Sequence, residues 1–360
     1  MGDRERRYVL DAVESGWVSS TGRYLKAFED AFAVHVQAKH AVSVSNGTAA
    51  LHLALHSLGV GPGDEIIVPD LTFVATAHAV LMTGATPVFV DVDPVTWCMD
   101  PVATARAITP RTRAILPVHL YGQPCAWGPL STLRDEHQVL LIEDAAQAIG
   151  TKAGGRPAGS LGTAGCFSFF GNKLITTGEG GMIVTSDDAL AVRLRFLRGH
   201  GVDPARRYFH AELAFNYRMT NLQAALGLAQ LEGIEALIAK KRAIYGWYQQ
   251  RLQGRTDLQI NTTSPDSSYW MTSVLLPDTT DRATIEGDLA DQGIETRPFF
   301  VPMSQLPHLA GYRRVSRERT GNENVANRLS VRGLNLPSGC GLTEDDVDRV
   351  VRTLLESLDG

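Results

Sequence analysis

A single lysine stands in a tight, apolar stretch of the chain, "FSFFGNKLITTGEGGM", residues 167–182. Lys173 follows an apolar run, with Gly171 and Asn172 directly before it and three glycines within the nine residues after it. A solvated surface lysine does not need glycine neighbours, and a buried one is costly unless its charge is paired or removed by chemistry. Lys173 is therefore a candidate for an amine that reacts.

Two further groups stand where strands are expected to end. Asp144 and Gln147 follow the apolar run "VLLI", whereas Glu143 points the other way if the strand geometry continues. In "SNGTAALHL", Gly47 and Thr48 lie at a junction from strand to helix, where free backbone N–H groups and the helix dipole favour a phosphate. Ligands of open α/β sheets gather at the carboxyl ends of strands. A phosphate site, a carboxylate and a lysine are thus expected at one edge of one sheet.

Each of these features has an ordinary structural explanation when it is taken alone. Turns with Ser, Gly and Thr are common helix caps, an Asp at a strand end is usually a turn residue or cap, and a lone lysine is usually on the surface. Their order and spacing suit one cofactor that needs all three. Pyridoxal phosphate has a phosphate, a basic ring nitrogen and an aldehyde that condenses with lysine.

The segments that must position these residues alternate between two patterns. Apolar runs rich in strand formers are separated by segments of helical spacing, such as 48–59 and 74–84. Strands that are apolar on both faces indicate a mostly parallel sheet covered by helices on both sides, which is an α/β fold. The predicted strands are 41–45, 65–69, 86–92, 113–118, 139–145, 166–170 and 182–186.

The pattern changes after about residue 217. Residues 221–252 predict a long helix with a break near Gly233, and Thr343 is a candidate cap for a closing helix with an acidic first turn. We therefore expect a large α/β domain over residues 1–235 and a smaller C-terminal α+β domain over residues 236–360.

The composition is that of an ordinary globular protein. The chain has 360 residues, of which 44% are hydrophobic and 20% charged, and its 34 Lys and Arg against 39 Asp and Glu argue against a nucleic-acid surface. The four cysteines lie far apart without a C-x-x-C pair, so neither a zinc site nor a disulfide framework is indicated. With no apolar run of membrane-spanning length and a charged start, a cytoplasmic protein is expected.

Five motifs together resemble one known family. "SNGTAALHLAL", "PDLTFVATAHAV", "LIEDAAQAIG", "FSFFGNKLITTGEGG" and "NYRMTNLQAALGLAQLE" are similar to the DegT/DnrJ/EryC1/StrS nucleotide-sugar aminotransferases, which are fold-type I pyridoxal-phosphate enzymes. The resemblance runs in order from "GWVSSTGRYLKAFE" to "LNLPSG", nearly the whole chain. Within the family, "TWCMD", "FFGNK" and "RGLNLPS" are most similar to the members that aminate GDP-4-keto-6-deoxymannose.

The resemblance implies roles for the residues around the cofactor ring. Lys173 would form the Schiff base with pyridoxal 5'-phosphate, and Asp144 would pair with the protonated ring nitrogen, which keeps the ring an electron sink. Gln147 would face the ring hydroxyl, and Phe73 would stack on the ring face.

The resemblance also implies a phosphate site shared between two subunits. Gly47, Thr48 and Ser168 would hold the phosphate, Asn216 would reach it from the second subunit of a homodimer, and Asn172 is a candidate for a phosphate or loop contact. The expected partners are a nucleotide-linked keto sugar and L-glutamate as the amino donor.

The substrate side is where the sequence departs from the family. His78 stands where an Asn is usual, and Ser304 stands where a His is common in a segment that helps to hold substrate. The substrate-side candidates are His119, Tyr121, Arg297 and His308.

Other functions stay open at this point. The resemblance also covers 3-aminotransferases and 4-aminotransferases that act on dTDP-linked or UDP-linked keto sugars. A branch that dehydrates sugars replaces the lysine with histidine, and a noncatalytic regulator would be expected to lose Lys173 or Asp144, but both are present. A nicotinamide dehydrogenase would need G-x-G-x-x-G after the first strand, which "SNGTAA" does not supply.

Overall fold

Helices and short strands alternate along the first half of the chain in the computed structural model, which describes residues 1–203, 205–206, 208–262, 264–318 and 324–360. The helices are α1 (Asp3–Glu14), α2 (Arg23–His35), α3 (Gly47–Ser57), α4 (Ala75–Met82), α5 (Pro101–Ala107), α6 (Trp127–His137), α7 (Asp188–Arg198), α8 (Asn221–Leu231), α9 (Ile234–Leu252), α10 (Arg282–Asp291), α11 (Val325–Arg332) and α12 (Glu344–Asp359). The strands are β1 (His40–Val44), β2 (Glu65–Pro69), β3 (Thr86–Val90), β4 (Thr112–Ile115), β5 (Leu140–Asp144), β6 (Lys152–Ala153), β7 (Arg156–Pro157), β8 (Ala164–Ser168), β9 (Gly181–Thr185), β10 (Gln259–Ile260), β11 (Thr272–Leu275), β12 (Arg297–Pro298), β13 (Arg314–Val315) and β14 (Gly333–Leu336).

The large sheet confirms the predicted α/β class. Among the described residues it has eight strands in the order β1-β9-β8-β5-β4-β2-β3-β13. All neighbouring pairs are parallel except those of β9, which runs antiparallel to both β1 and β8. Because β2, β3, β4, β5 and β8 run in one direction, their carboxyl ends meet at one edge, where the candidate residues were expected.

Apolar side chains cover both faces of this sheet. In β2, Ile66 and Val68 pack in one cluster with α3 and α4, while Ile67 between them packs in another cluster on the opposite face. Burying a side chain of this size contributes about 1.5–3 kcal/mol. Alternation within an all-apolar strand thus stabilises both helical layers and accounts for the continuous apolar runs in the sequence.

The long helical segment breaks at Gly233, as the sequence predicts. Gly233 is the N-cap of α9, and α8 and α9 meet at a bend of 63°. Within the part of the chain that is described, no single helix is long and apolar enough to cross a membrane; α8 and α9 reach that length and composition only as a bent pair.

A second sheet lies in the C-terminal part of the chain. Its order is β10-β11-β14-β12, and its core joins side chains of α9, α10 and α12, including Tyr248, Leu289 and Val347. The closing helix begins as predicted, because the Thr343 hydroxyl caps α12 by accepting from the backbone N–H of Asp346.

The chain returns to the large sheet before it ends. Strand β13 pairs in parallel with β3, and the guanidinium of Arg314 donates to the buried carboxylates of Asp70 and Asp91. Ser304 also donates to Asp70, from its backbone N–H and its hydroxyl. This return lies inside the segment assigned to the small domain, and the boundary between residues 235 and 236 stays a prediction.

Candidate active site

The carboxyl edge of the large sheet opens into a cavity of about 690 Å³. It lies between the ends of β5 and β8, the start of α3, and residues of the C-terminal part of the chain. Ten of the residues singled out in the sequence line it: Gly47, Thr48, Phe73, Tyr121, Asp144, Gln147, Ser168, Asn172, Lys173 and Arg297. The cavity therefore combines a strand-end carboxylate, a lysine and a helix N-terminus.

Asp144 is a buried carboxylate with two hydrogen bonds. Its Oδ2 accepts from the hydroxyl of Thr76 at 2.8 Å and its Oδ1 accepts from the backbone N–H of Ala146 at 3.1 Å. Burial raises the pKa of Asp144, whereas these two hydrogen bonds and the Lys173 charge lower it. A positively charged group in the cavity would compensate the buried carboxylate.

Lys173 lies at the same cavity with its charge partly desolvated. Burial lowers the pKa of its amine to about 8, against the opposing effect of the Asp144 charge. The Nζ atom lies 4.0 Å from the centre of the Trp270 ring. An amine with this pKa is partly neutral near physiological pH, which a nucleophile or a proton carrier requires.

The start of α3 forms a close-fitting turn against the end of β8. The side chain of Asn46 caps α3 by accepting from the N–H of Ala49 at 2.8 Å, and the N–H groups of Gly47 and Thr48 have no acceptor within the helix. A Cβ atom on Gly47 would lie 2.8 Å from the Cβ of Ser168. Only glycine thus permits this approach, and the turn presents N–H groups and a hydroxyl that fit a phosphate.

Aromatic side chains border the cavity beyond the carboxylate. Phe73 is 54% exposed, and its ring centre lies 5.8 Å from that of Phe300. The Tyr121 ring stacks on Phe300 at 5.5 Å, and the backbone N–H of Tyr121 donates to Oε1 of Gln147 at 2.8 Å. Tyr121 has a φ of 53°, so Gln147 holds a backbone conformation that costs free energy in a non-glycine residue.

His119 lies outside the lining of this cavity in the described structure, and its substrate contact stays a prediction. Its Nδ1 accepts from the backbone N–H of Cys125 at 3.1 Å, so its Nε2–H donates to Glu143 at 3.0 Å. Glu143 also accepts from three backbone N–H groups of residues 159–162. Because side chains alternate along a strand, Glu143 lies on the opposite side of β5 from Asp144, and His119 is buried there with it.

Two other predicted residues lie outside the lining of this cavity in the described structure. Asn216 is exposed, and its Oδ1 accepts from the Arg218 guanidinium at 3.3 Å. His308 is exposed, with its Nε2 2.8 Å from the Nε2 of His78. Their cofactor and substrate contacts stay predictions, as does the substrate contact of Arg297, which lines the cavity with a half-exposed side chain.

The sequence analysis missed Trp270 and Thr76. Both contact predicted site residues. The indole N–H of Trp270 donates to the backbone oxygen of Asn172, which is 98 residues away in the sequence. Thr76 stands in the quoted motif "PDLTFVATAHAV", three residues after Phe73. That spacing was the only indication in the sequence that Thr76 lies at the site.

Comparison with known proteins agrees with the fold. The chain belongs to the DegT/DnrJ/EryC1/StrS aminotransferase family, which residues 1–355 match. It is 48% identical over 361 residues to the GDP-perosamine synthase of Caulobacter vibrioides, covering 97% of this chain and 94% of that protein. It is 43% identical over 353 residues to the GDP-perosamine synthase of Vibrio cholerae, covering 96% and 94%.

A solved structure of the family has the same fold. The crystal structure of S. venezuelae DesV in complex with a ketimine intermediate superposes with a TM-score of 0.91 at 35% identity, covering 99% of this chain and 94% of that one. The family and its relatives are pyridoxal-phosphate-dependent sugar aminotransferases.

Proposed function

We propose that this protein is a pyridoxal-phosphate aminotransferase that converts GDP-4-keto-6-deoxymannose to GDP-perosamine with L-glutamate as the amino donor. The observation that carries the proposal is the joint placement of Lys173, Asp144 and the start of α3 around one cavity. The similarity to GDP-perosamine synthases at 48% and 43% identity supports the choice of GDP-linked sugar.

The residues present fit pyridoxal phosphate. When bound, this cofactor supplies an aldehyde that condenses with amines and a ring that withdraws electrons from the substrate carbon. Gly47, Thr48 and Ser168 would hold its phosphate, because backbone N–H groups at a helix start and the Ser168 hydroxyl bind anions. The glycine turn that a Cβ would obstruct is the feature of this structure that supports the assignment.

Asp144 would hold a proton on the ring nitrogen. Its ionised carboxylate is fixed by Thr76 and Ala146, so it needs no reorganisation to pair with a cation. Burial strengthens that pairing because water does not screen it.

Lys173 would bind the cofactor and then move a proton. As a free amine, the Nζ atom would accept the proton from the α-carbon of glutamate and would supply a proton to the sugar carbon in the second half of the reaction. Its pKa of about 8 suits both directions, because the amine exchanges its proton readily near physiological pH.

The remaining lining residues would position cofactor and substrate. Phe73 would cover one face of the ring, and Gln147 and Asn172 would contact its polar edge and the adjoining loop. Arg297 offers a positive charge that suits the carboxylates of glutamate or the diphosphate of a sugar nucleotide, and Tyr121 shapes the same wall.

We also propose a homodimer in which Asn216 completes the phosphate site of the partner subunit. The support is that Asn216 is exposed and lies away from its own cavity. A cytoplasmic location is supported by the four cysteines, all of which are free in this structure.

Product analysis tests the proposed reaction. The purified protein with pyridoxal phosphate and L-glutamate is offered GDP-linked and dTDP-linked 4-keto-6-deoxyhexoses, and the products are identified by mass spectrometry and NMR. We expect a 4-amino product from the GDP-linked sugar and 2-oxoglutarate in equal amount. Amination of the dTDP-linked sugar alone, or at carbon 3, would favour the other members of the family, and no amination of either sugar would contradict the proposal.

A further inference from the structure

The Trp270 indole lies against the amine of Lys173, and nothing in the proposed reaction yet uses it. Trp270 is 5% exposed, and its ring centre lies 4.0 Å from the Nζ of Lys173. The indole N–H donates to the backbone oxygen of Asn172 at 2.9 Å, so the ring is anchored to the residue directly before the lysine. The tryptophan and the lysine therefore cannot shift independently without breaking a contact.

The backbone of Trp270 is also held by a buried lysine, Lys241. The Nζ of Lys241 in α9 donates to the Trp270 carbonyl oxygen at 2.7 Å and to the carbonyl oxygen of Ser338. Lys241 is 6% exposed, and burial lowers the pKa of its amine to about 8. A buried amine that donates to two carbonyl oxygens fixes Trp270, two residues before β11, relative to α9 and to the turn after β14.

We propose that Trp270 is a positioning residue that holds the free amine of Lys173 in the cavity and stabilises its charged form, with Lys241 fixing Trp270 in place. This inference rests on the proposed function, in which Lys173 is released during each cycle and must stay close to the reacting carbon. The face of an indole ring attracts a cation, and this attraction is stronger for indole than for the rings of Tyr or Phe.

The Trp270 ring face and the burial of the amine shift the pKa of Lys173 in opposite directions. Burial lowers its pKa to about 8, while a cation held over an indole favours the protonated amine. From the usual strength of cation–π contacts, removing the ring should lower the pKa of Lys173 by about 0.5 to 1.5 units. Phenylalanine keeps a weaker ring face and loses the indole N–H, so a smaller shift is expected.

The experiment titrates Lys173 directly in the full-length protein freed of cofactor. An amine-reactive reagent labels the protein over a range of pH, and the peptide containing Lys173 is quantified by mass spectrometry. Trp270→Leu should move the titration midpoint down by about 0.5 to 1.5 units, and Trp270→Phe by less. Lys241→Met should move it in the same direction, because it releases the Trp270 backbone.

The chain offers a matched control pair that does not line the cavity. The Nζ of Lys240 lies 4.6 Å from the ring centre of Trp247, on α9. Trp247→Leu should leave the Lys173 midpoint unchanged, because that ring contacts a different lysine. A Lys173 midpoint that is the same in wild type, Trp270→Leu and Trp270→Phe would overturn the proposal.

A reverse measurement keeps the test decisive if Trp270→Leu does not fold. Tryptophan emission of the cofactor-free wild type should change with a midpoint near the pKa of Lys173, and Lys173→Met should abolish that change. No difference between the two titrations would overturn the proposal. A failure of the proposed function looks different, because the Lys173 shift would persist while no sugar is aminated.

Discussion

The substitution Asp144→Asn distinguishes two possible roles of the Asp144 carboxylate, binding the cofactor and stabilising the fold. The amide has nearly the same shape as the carboxylate and can keep the contacts with Ala146 and Thr76, since the Thr76 hydroxyl can turn to accept as well as donate. Because burial penalises the charged form of Asp144, the neutral amide also removes that penalty. The free energy of unfolding should therefore stay the same or rise.

The loss in reaction rate should be large. A hydrogen bond to a charged group is worth about 1.5–3 kcal/mol, and two charges at about 3 Å with an effective dielectric constant of about 20 attract by roughly 5 kcal/mol. A loss of about 2–5 kcal/mol from the transition state corresponds to a rate reduction of about 30-fold to about 5,000-fold.

The assay measures the half-reaction with glutamate in a single turnover. The rate is followed by the change in cofactor absorbance and divided by the amount of cofactor bound, and the melting temperature is measured in parallel. We expect Asp144→Asn to react at least about 30-fold more slowly with an unchanged or higher melting temperature. A near wild-type rate per bound cofactor would refute the assignment of Asp144.

A second buried strand-end carboxylate provides the control. Asp70 follows β2 and accepts from the Arg314 guanidinium and from Ser304, away from the cavity. Asp70→Asn should lower the melting temperature, because it leaves the partly buried Arg314 with a neutral partner in place of a buried carboxylate. Its rate per bound cofactor should stay near that of the wild type.

Three further predictions concern the lysine, the phosphate site and the dimer. Lys173→Ala should abolish turnover while the melting temperature and noncovalent cofactor binding stay close to wild type, measured by calorimetry and equilibrium dialysis. Gly47→Ala should weaken cofactor binding by at least about tenfold, since its Cβ would lie 2.8 Å from the Ser168 Cβ, and a wild-type dissociation constant would contradict the phosphate assignment. Asn216→Ala and Lys173→Ala subunits, each impaired alone, should regain up to about half the wild-type rate when exchanged into mixed dimers, whereas no rescue with confirmed exchange would remove the shared site.

Local sequence patterns were sufficient to predict the residues at the sheet edge. Asp144 is the last residue of the apolar strand β5, Gly47 is the first residue of α3, and both signals lie within a few residues of the group that they position. The break at Gly233 and the cap at Thr343 were predictable for the same reason.

Contacts between distant segments could not be predicted in this way. Trp270 reaches the lysine loop from the C-terminal part of the chain, and the two-residue strand Arg314–Val315 is too short to leave a periodic pattern. The sequence likewise did not show that the His119 ring turns with Glu143 to the opposite side of β5. Side-chain direction after a strand depends on the backbone conformation of the following turn, which the motif alone did not specify.

The central claim is that Lys173 is the amine that binds the cofactor, and one trapping experiment tests it most directly. The protein is incubated with pyridoxal phosphate and reduced with borohydride, and the modified lysine is identified by peptide mass spectrometry. Lys241 is the informative competitor, because burial lowers its pKa to about 8 as well, but its amine is held by two carbonyl oxygens. The account predicts that the reduced cofactor is attached to Lys173 at one equivalent per chain. Attachment at Lys241 or another lysine instead, with Lys173 unmodified, would contradict it.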